Sequence, residues 1–168
     1  MNKKIVILLL ALALFSGLAF GESYSKKGML IAPESLNANV GLGLGYGYGF
    51  GLGGGIEYGI GKFVIGEAKI PFTYGVAARA GLGLGTDINL SVGALGTLHF
   101  CWANFGFPKD LRWMGNFDSY LGLGLAFKPG YGLGFNSIGG LSYFFDKGLA
   151  VNLEAGLSAS YIGILFKF

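Results

Sequence analysis

Few side chains in this 168-residue chain could do chemistry, and they are thinly spread. His99 is the single histidine and Cys101 the single cysteine. Two residues apart on an extended segment, they share a face but do not orient one another, so they make a poor thiol dyad. Acyl transfer needs a serine, a histidine and a carboxylate within hydrogen-bond reach. Ser91 shares a segment with His99 but lies too far along it to serve as the nucleophile. Gly49-Phe50-Gly51-Leu52-Gly53-Gly54 has the spacing G-x-G-x-x-G, yet no helix follows, and a glycine-alternating strand produces that match by chance. One histidine and one cysteine form no metal-ligand cluster. The remaining pattern is ionic: Glu57, Arg79 and Glu154, with Lys128 and Lys167 near segment ends, stand in apolar surroundings and must pair or meet water. No catalytic residue, cofactor or metal is expected, and the chain is read as a non-enzyme.

Those charges have to be positioned by an unusual composition. Hydrophobic residues make up 52% of the chain, charged residues 12%, and glycine fills 33 positions. Disordered glycine-rich chains lack this load of Leu, Ile, Phe and Tyr. The net charge of +3 gives no argument for nucleic acid, and the lone cysteine cannot form an internal disulfide. Lys3 and Lys4 precede the apolar run from Ile5 to Phe15, with small residues at Gly17, Ala19 and Gly21. This reads as a secretory signal peptide over 1–21. An exported apolar chain with no mature run of 18 apolar residues points to a closed barrel, because backbone polar groups in lipid must pair internally.

From Asn37 the period is two. Val40, Leu42, Leu44, Tyr46, Tyr48, Phe50 and Leu52 alternate with glycines, which is strand and not helix. A turn around residues 48–51 would divide this stretch into strands at 37–48 and 51–65. The phase slips near Gly61-Lys62, as at a β-bulge. Further strands are expected at 72–85, 88–101, 118–128, 133–145, 149–157 and 161–168, with a tight hairpin at Thr86-Asp87 and one long connection over 102–117. The aliphatic face of the seventh strand is read as Leu149, Val151, Leu153, Ala155 and Leu157. Glu57, Arg79, His99 and Glu154 fall on the opposite, inward face, together with Gly41, Gly43, Gly45, Gly81, Gly83, Gly93, Gly122, Gly124, Gly134, Gly140 and Gly163. A lumen so lined is filled by large neighbours, by the segment before the first strand, by water or by a small apolar ligand. The inward charges are either a network holding strands in register or a selectivity constriction.

The last eight residues, Tyr161-Ile162-Gly163-Ile164-Leu165-Phe166-Lys167-Phe168, carry a motif. Tyr161, Gly163, Phe166 and Phe168 fill the places of the terminal signal of bacterial outer-membrane β-barrels, which the chain resembles. In size and design it is similar to the group of the OmpA transmembrane domain, OmpX and OmpW. The resemblance implies an all-β, eight-stranded antiparallel transmembrane barrel in up-and-down order over 37–168, located in the bacterial outer membrane. It implies outer-membrane lipid and the barrel-assembly machinery as partners, and closure of the last strand on the first near Asn37 to Tyr48. Small barrels of that membrane that act on lipid need a serine, a histidine and a carboxylate together, which this chain does not offer. Residues 22–36 are expected to be a periplasmic lead-in or, alternatively, to tuck into the barrel mouth. The 102–117 connection, with Trp102, Phe105, Phe107, Trp113, Lys109 and Arg112, either lies at the membrane interface or folds back over the mouth. The expected function is structural or membrane-protective. The alternative is binding or passage of small hydrophobic molecules through the glycine-lined lumen.

Overall fold

The computed structural model describes residues 24–25, 28–45, 49–67, 69–85 and 88–168. The expectations for 1–21, for Tyr46 and Tyr48 and for the Thr86-Asp87 hairpin lie outside these residues. The strands are β1 (Leu36–Gly45), β2 (Gly49–Ile65), β3 (Ile70–Leu84), β4 (Ile88–Cys101), β5 (Phe117–Lys128), β6 (Gly132–Phe144), β7 (Leu149–Ala155) and β8 (Ala159–Lys167). Two 3₁₀ segments, Trp102–Phe105 and Lys109–Asn116, occupy the long connection. Each strand pairs with its sequence neighbour, and β8 returns to β1, so the sheet is one closed antiparallel barrel.

Closure follows from the sequence pattern. β8 runs against β1 from Asn37 opposite Lys167 to Gly45 opposite Ala159, and the Phe168 N–H donates to the Leu36 carbonyl at 2.8 Å. The seam is tight: a Cβ on Gly163 would overlap the Val40 carbonyl and the Gly41 backbone. Glycine here serves close approach of two backbones. The phase slip near Gly61 is a bulge between Gly59 and Gly61. Beyond it the outward side changes from even to odd positions, and Phe63 stacks on Phe72 with centroids 5.7 Å apart.

The two faces are chemically opposite. Val40, Leu42, Ile56, Val76, Leu90, Val92, Leu121, Leu123, Leu125 and Ile162 are exposed on the outside. Glu57, Arg79, His99, Asp118 and Glu154 are buried inside. A contiguous apolar exterior of this extent is foreign to soluble monomers. The β1–β2, β3–β4, β5–β6 and β7–β8 connections are short, and the 102–116 connection lies at the opposite end, where β1 begins and β8 finishes.

Two inner clusters seal the ends. Near the termini, Leu30 and Ile31 pack with Cys101, Phe144, Ala150 and Leu165, so the segment before β1 is tucked into the mouth. Thr73 Oγ1 donates to the Ile31 carbonyl at 2.8 Å, and Lys167 Nζ donates to the Leu30 carbonyl at 2.8 Å. The long connection folds over this plug, with Asn104 Nδ2 donating to the Gly28 carbonyl at 2.9 Å. Its aromatics also extend the outer girdle, Trp102 meeting Phe117 and Trp113 meeting Tyr143. At the other end Leu95, Tyr120, Ala126, Ile138 and Leu157 form a second cluster. Leu157 therefore departs from its expected place on the lipid-side face. β7 stops at Ala155, and the turn folds into the barrel, burying Leu157 and Ser158. Alternation could not show this, because an inward-folded turn keeps an apolar residue at the next expected position.

The seam gives a direct test. Gly163→Leu is expected to cost about 3 kcal/mol or more, an overpacking penalty at the upper end, and to weaken the compact gel band expected of the unaltered chain without boiling. Urea titration of the refolded variant would measure the loss; unchanged stability would contradict the packing at this seam.

Candidate functional site

The inward alternation of β1 to β7 brings the ionisable side chains to one level of the lumen. Arg79, on β3, lies between a carboxylate on the neighbouring strand β2 and one across the lumen on β7. Its Nη2 is 3.0 Å from Glu57 Oε2, and its Nε is 3.2 Å from Glu154 Oε2. Its Nη1 donates to the Ile56 carbonyl at 3.1 Å. The planar guanidinium, with donors in a fixed fork, suits this division of contacts better than a lysine would.

Each carboxylate is then completed by neighbours. Glu57 Oε1 accepts from Thr97 Oγ1 at 2.5 Å and faces His99 Nε2 at 2.5 Å. Glu154 Oε2 accepts from Tyr120 Oη at 2.7 Å and from Asn39 Nδ2 at 3.3 Å. Asp118 Oδ1 faces His99 Nδ1 at 2.7 Å. The network reaches β6 through Ser142 Oγ, which donates to Asn152 Oδ1 at 2.9 Å. With carboxylates on both ring nitrogens, His99 best satisfies the site as a donor on both sides. Tyr120 stacks on its ring with centroids 5.3 Å apart.

In this arrangement the candidate reactive groups are engaged with other partners. His99 has no ring nitrogen left for a nucleophile. Ser91 Oγ is hydrogen-bonded to Ser158 Oγ, away from His99. The Cys101 thiol is buried and donates to the Gly115 carbonyl at 3.6 Å. Among the described residues no group of three His, Cys, Asp or Glu side chains is placed to hold a metal ion.

Glu57, Arg79 and Glu154, singled out by charge and face, are in direct contact. Lys128 and Lys167 lie away from them, at opposite ends of the barrel. Asp118 and Tyr120 were not singled out by the sequence reading, although they share the inward parity of Gly122 and Gly124 on β5. Parity alone would have found them; Asp118 was hidden by its position at the strand start, and Tyr120 by its aromatic character. Of the terminal motif, Tyr161 and Gly163 point inward and Phe166 and Phe168 outward, with Phe168 77% exposed. The inward glycines hold large rings. Cβ atoms on Gly53, Gly81 or Gly156 would overlap the Tyr161 side chain, and one on Gly140 would overlap Tyr120. The lumen is thus filled by the chain's own large neighbours and by the segment before β1.

A solved chain described as "De novo design of transmembrane beta-barrels" superimposes on this one with a TM-score of 0.55. The two are 16% identical, over 81% of this chain and 97% of that one. The likeness is one of fold: an eight-stranded barrel of the transmembrane type. No protein-family model matches the chain, and no curated protein matches it by sequence.

Removing one member of the network should reveal its cost. Arg79→Ala leaves two buried carboxylates without their shared cation and is expected to lose about 3–5 kcal/mol in urea unfolding. The combined variant Glu57→Gln, Arg79→Met, Glu154→Gln should recover most of that loss, since replacing a whole buried ionic group is far cheaper than orphaning part of it. Equal destabilisation of both would show that shape, and not charge balance, dominates at this level.

Proposed function

We propose that the chain is an integral barrel of the bacterial outer membrane with a structural, membrane-integrity role and a lumen that does not conduct. The observation that carries this reading is the inverted distribution of polarity: an apolar exterior around an interior that is charged, paired and filled. Lipid accepts an outer face of this kind, and a barrel of eight strands has an interior only as wide as its side chains. Side chains occupy the lumen at three levels, Leu30 and Ile31, the Arg79 network with Tyr120, and Leu157, and this supports a lumen that does not conduct. A catalytic role lacks support, because His99, Ser91 and Cys101 are each engaged elsewhere. On this reading membrane lipid and the barrel-assembly machinery are its partners, and Tyr161, Gly163, Phe166 and Phe168 are the assembly signal.

Two measurements test this. The refolded protein should float with phosphatidylcholine vesicles and migrate faster on gels before boiling than after. In planar bilayers it should give no stepwise conductance, whereas Tyr161→Ala combined with Arg79→Ser should produce small openings. Solubility without detergent would overturn the membrane assignment, and regular channel steps from the unaltered chain would overturn the sealed lumen.

A further inference from the structure

The barrel wall is incomplete at the end away from the termini. β6 pairs with β5 from Gly132 onward but with β7 only from Gly139, because β7 stops at Ala155 and its turn folds inward. Residues 132–138 of β6 therefore offer an edge that has no strand partner among the described residues. On the inner side of this edge is a cavity of about 300 Å³, lined by Asn89, Ala126, Lys128, Gly134, Phe135 and Asn136 among others. This is at the small end of ligand-site volumes. Beneath it lies the apolar cluster that contains Ala126 and Leu157. Beside it, on the outer face, Leu133 and Phe135 are 68% and 74% exposed.

We propose that this notch binds an anionic amphiphile, with its carboxylate or phosphate head at Lys128 and its acyl chain over Leu133 and Phe135. The chemistry converges on that class. Lys128 has no carboxylate in ion-pair range among the described residues, and the amides of Asn89 and Asn136 border the same space. On the β6 edge the Ser137 N–H is taken by Asn136 Oδ1, and the N–H groups left without a strand partner add donors that an anionic head satisfies and a hydrocarbon cannot. Gly134 marks the open volume: a Cβ there meets nothing within 4 Å, so a larger residue fills the cavity and leaves the barrel intact.

The proposal rests on the membrane reading, and its test separates the two. The isotope-labelled barrel is placed in phosphatidylcholine nanodiscs and titrated with spin-labelled stearate, reading paramagnetic broadening of the amide signals. Saturable broadening confined to residues 126–138 is expected. It should weaken at least tenfold in Lys128→Glu and vanish in Gly134→Leu, with the unboiled gel mobility of both variants unchanged. A nanodisc containing phosphatidylglycerol in place of added stearate should shift the same amides if membrane lipid is the source of the head. Broadening spread evenly around the outer belt, or unaffected by either variant, would overturn the site. So would an equal response to inorganic phosphate alone, which would make it a simple anion site, or a dimer paired through β6 that blocks the probe. A chain that fails to enter nanodiscs defeats the membrane reading instead, and the titration in zwitterionic micelles then still reads the notch.

Discussion

Backbone pairing is the constraint on which the rest of this molecule depends. Each strand exposes a row of N–H and C=O groups on both edges, and a run of hairpins satisfies all but the first and last rows. Bringing β8 onto β1 removes those two, and where Gly163 meets Gly41 it requires glycine, because a side chain there would collide with the opposite backbone. The same constraint gives meaning to a place where pairing lapses. The upper part of β6 is bare on one side because the β7–β8 turn has been spent on closing the interior.

Interior width sets the second level of organisation. Eight strands enclose a space that side chains alone must fill, and the chain does so by pairing absence with bulk. Tyr161 lies over Gly53 and Gly81, Tyr120 over Gly140, and Ile138 over Gly122. Between the rings the charged groups make a lateral brace, since Asn39, Glu57, Arg79, Thr97, Asp118 and Glu154 belong to six different strands. Desolvation offsets much of the attraction within such a group, so the brace contributes chiefly by making other registers costly. Sliding one strand by a single residue would turn its charge out of the lumen.

The strands and their faces were legible in the residues because alternation is a local signal. It placed Glu57, Arg79 and Glu154 in the lumen and located the bulge within a residue or two of Ile60. The first hairpin was less legible: β1 ends at Gly45 and β2 begins at Gly49, earlier than the expected turn at 48–51, since uniform glycine alternation carries no turn signal. Leu157 was misplaced for a related reason, its inward fold being set by the shortness of β7 and not by any residue type nearby. The filling of the lumen was not legible either. Which ring covers which glycine depends on stagger across strands far apart in sequence, which no window along the chain contains.

The plug formed by Leu30 and Ile31 has a consequence for the order of folding. Apart from Tyr24 and Thr73, the partners described for it come from the second half of the chain, among them Cys101, Phe144, Ala150, Leu165 and Lys167. Contacts of such long sequence separation incur the loop-closure cost before they return any stabilisation. Glu34 and Ser35 are held locally by Gly59 of β2, whereas Leu30 and Ile31 complete their seat only once β8 is in place. Once seated, the plug ties the segment before β1 to the last strand, so the barrel cannot be opened at the seam without also drawing out its stopper.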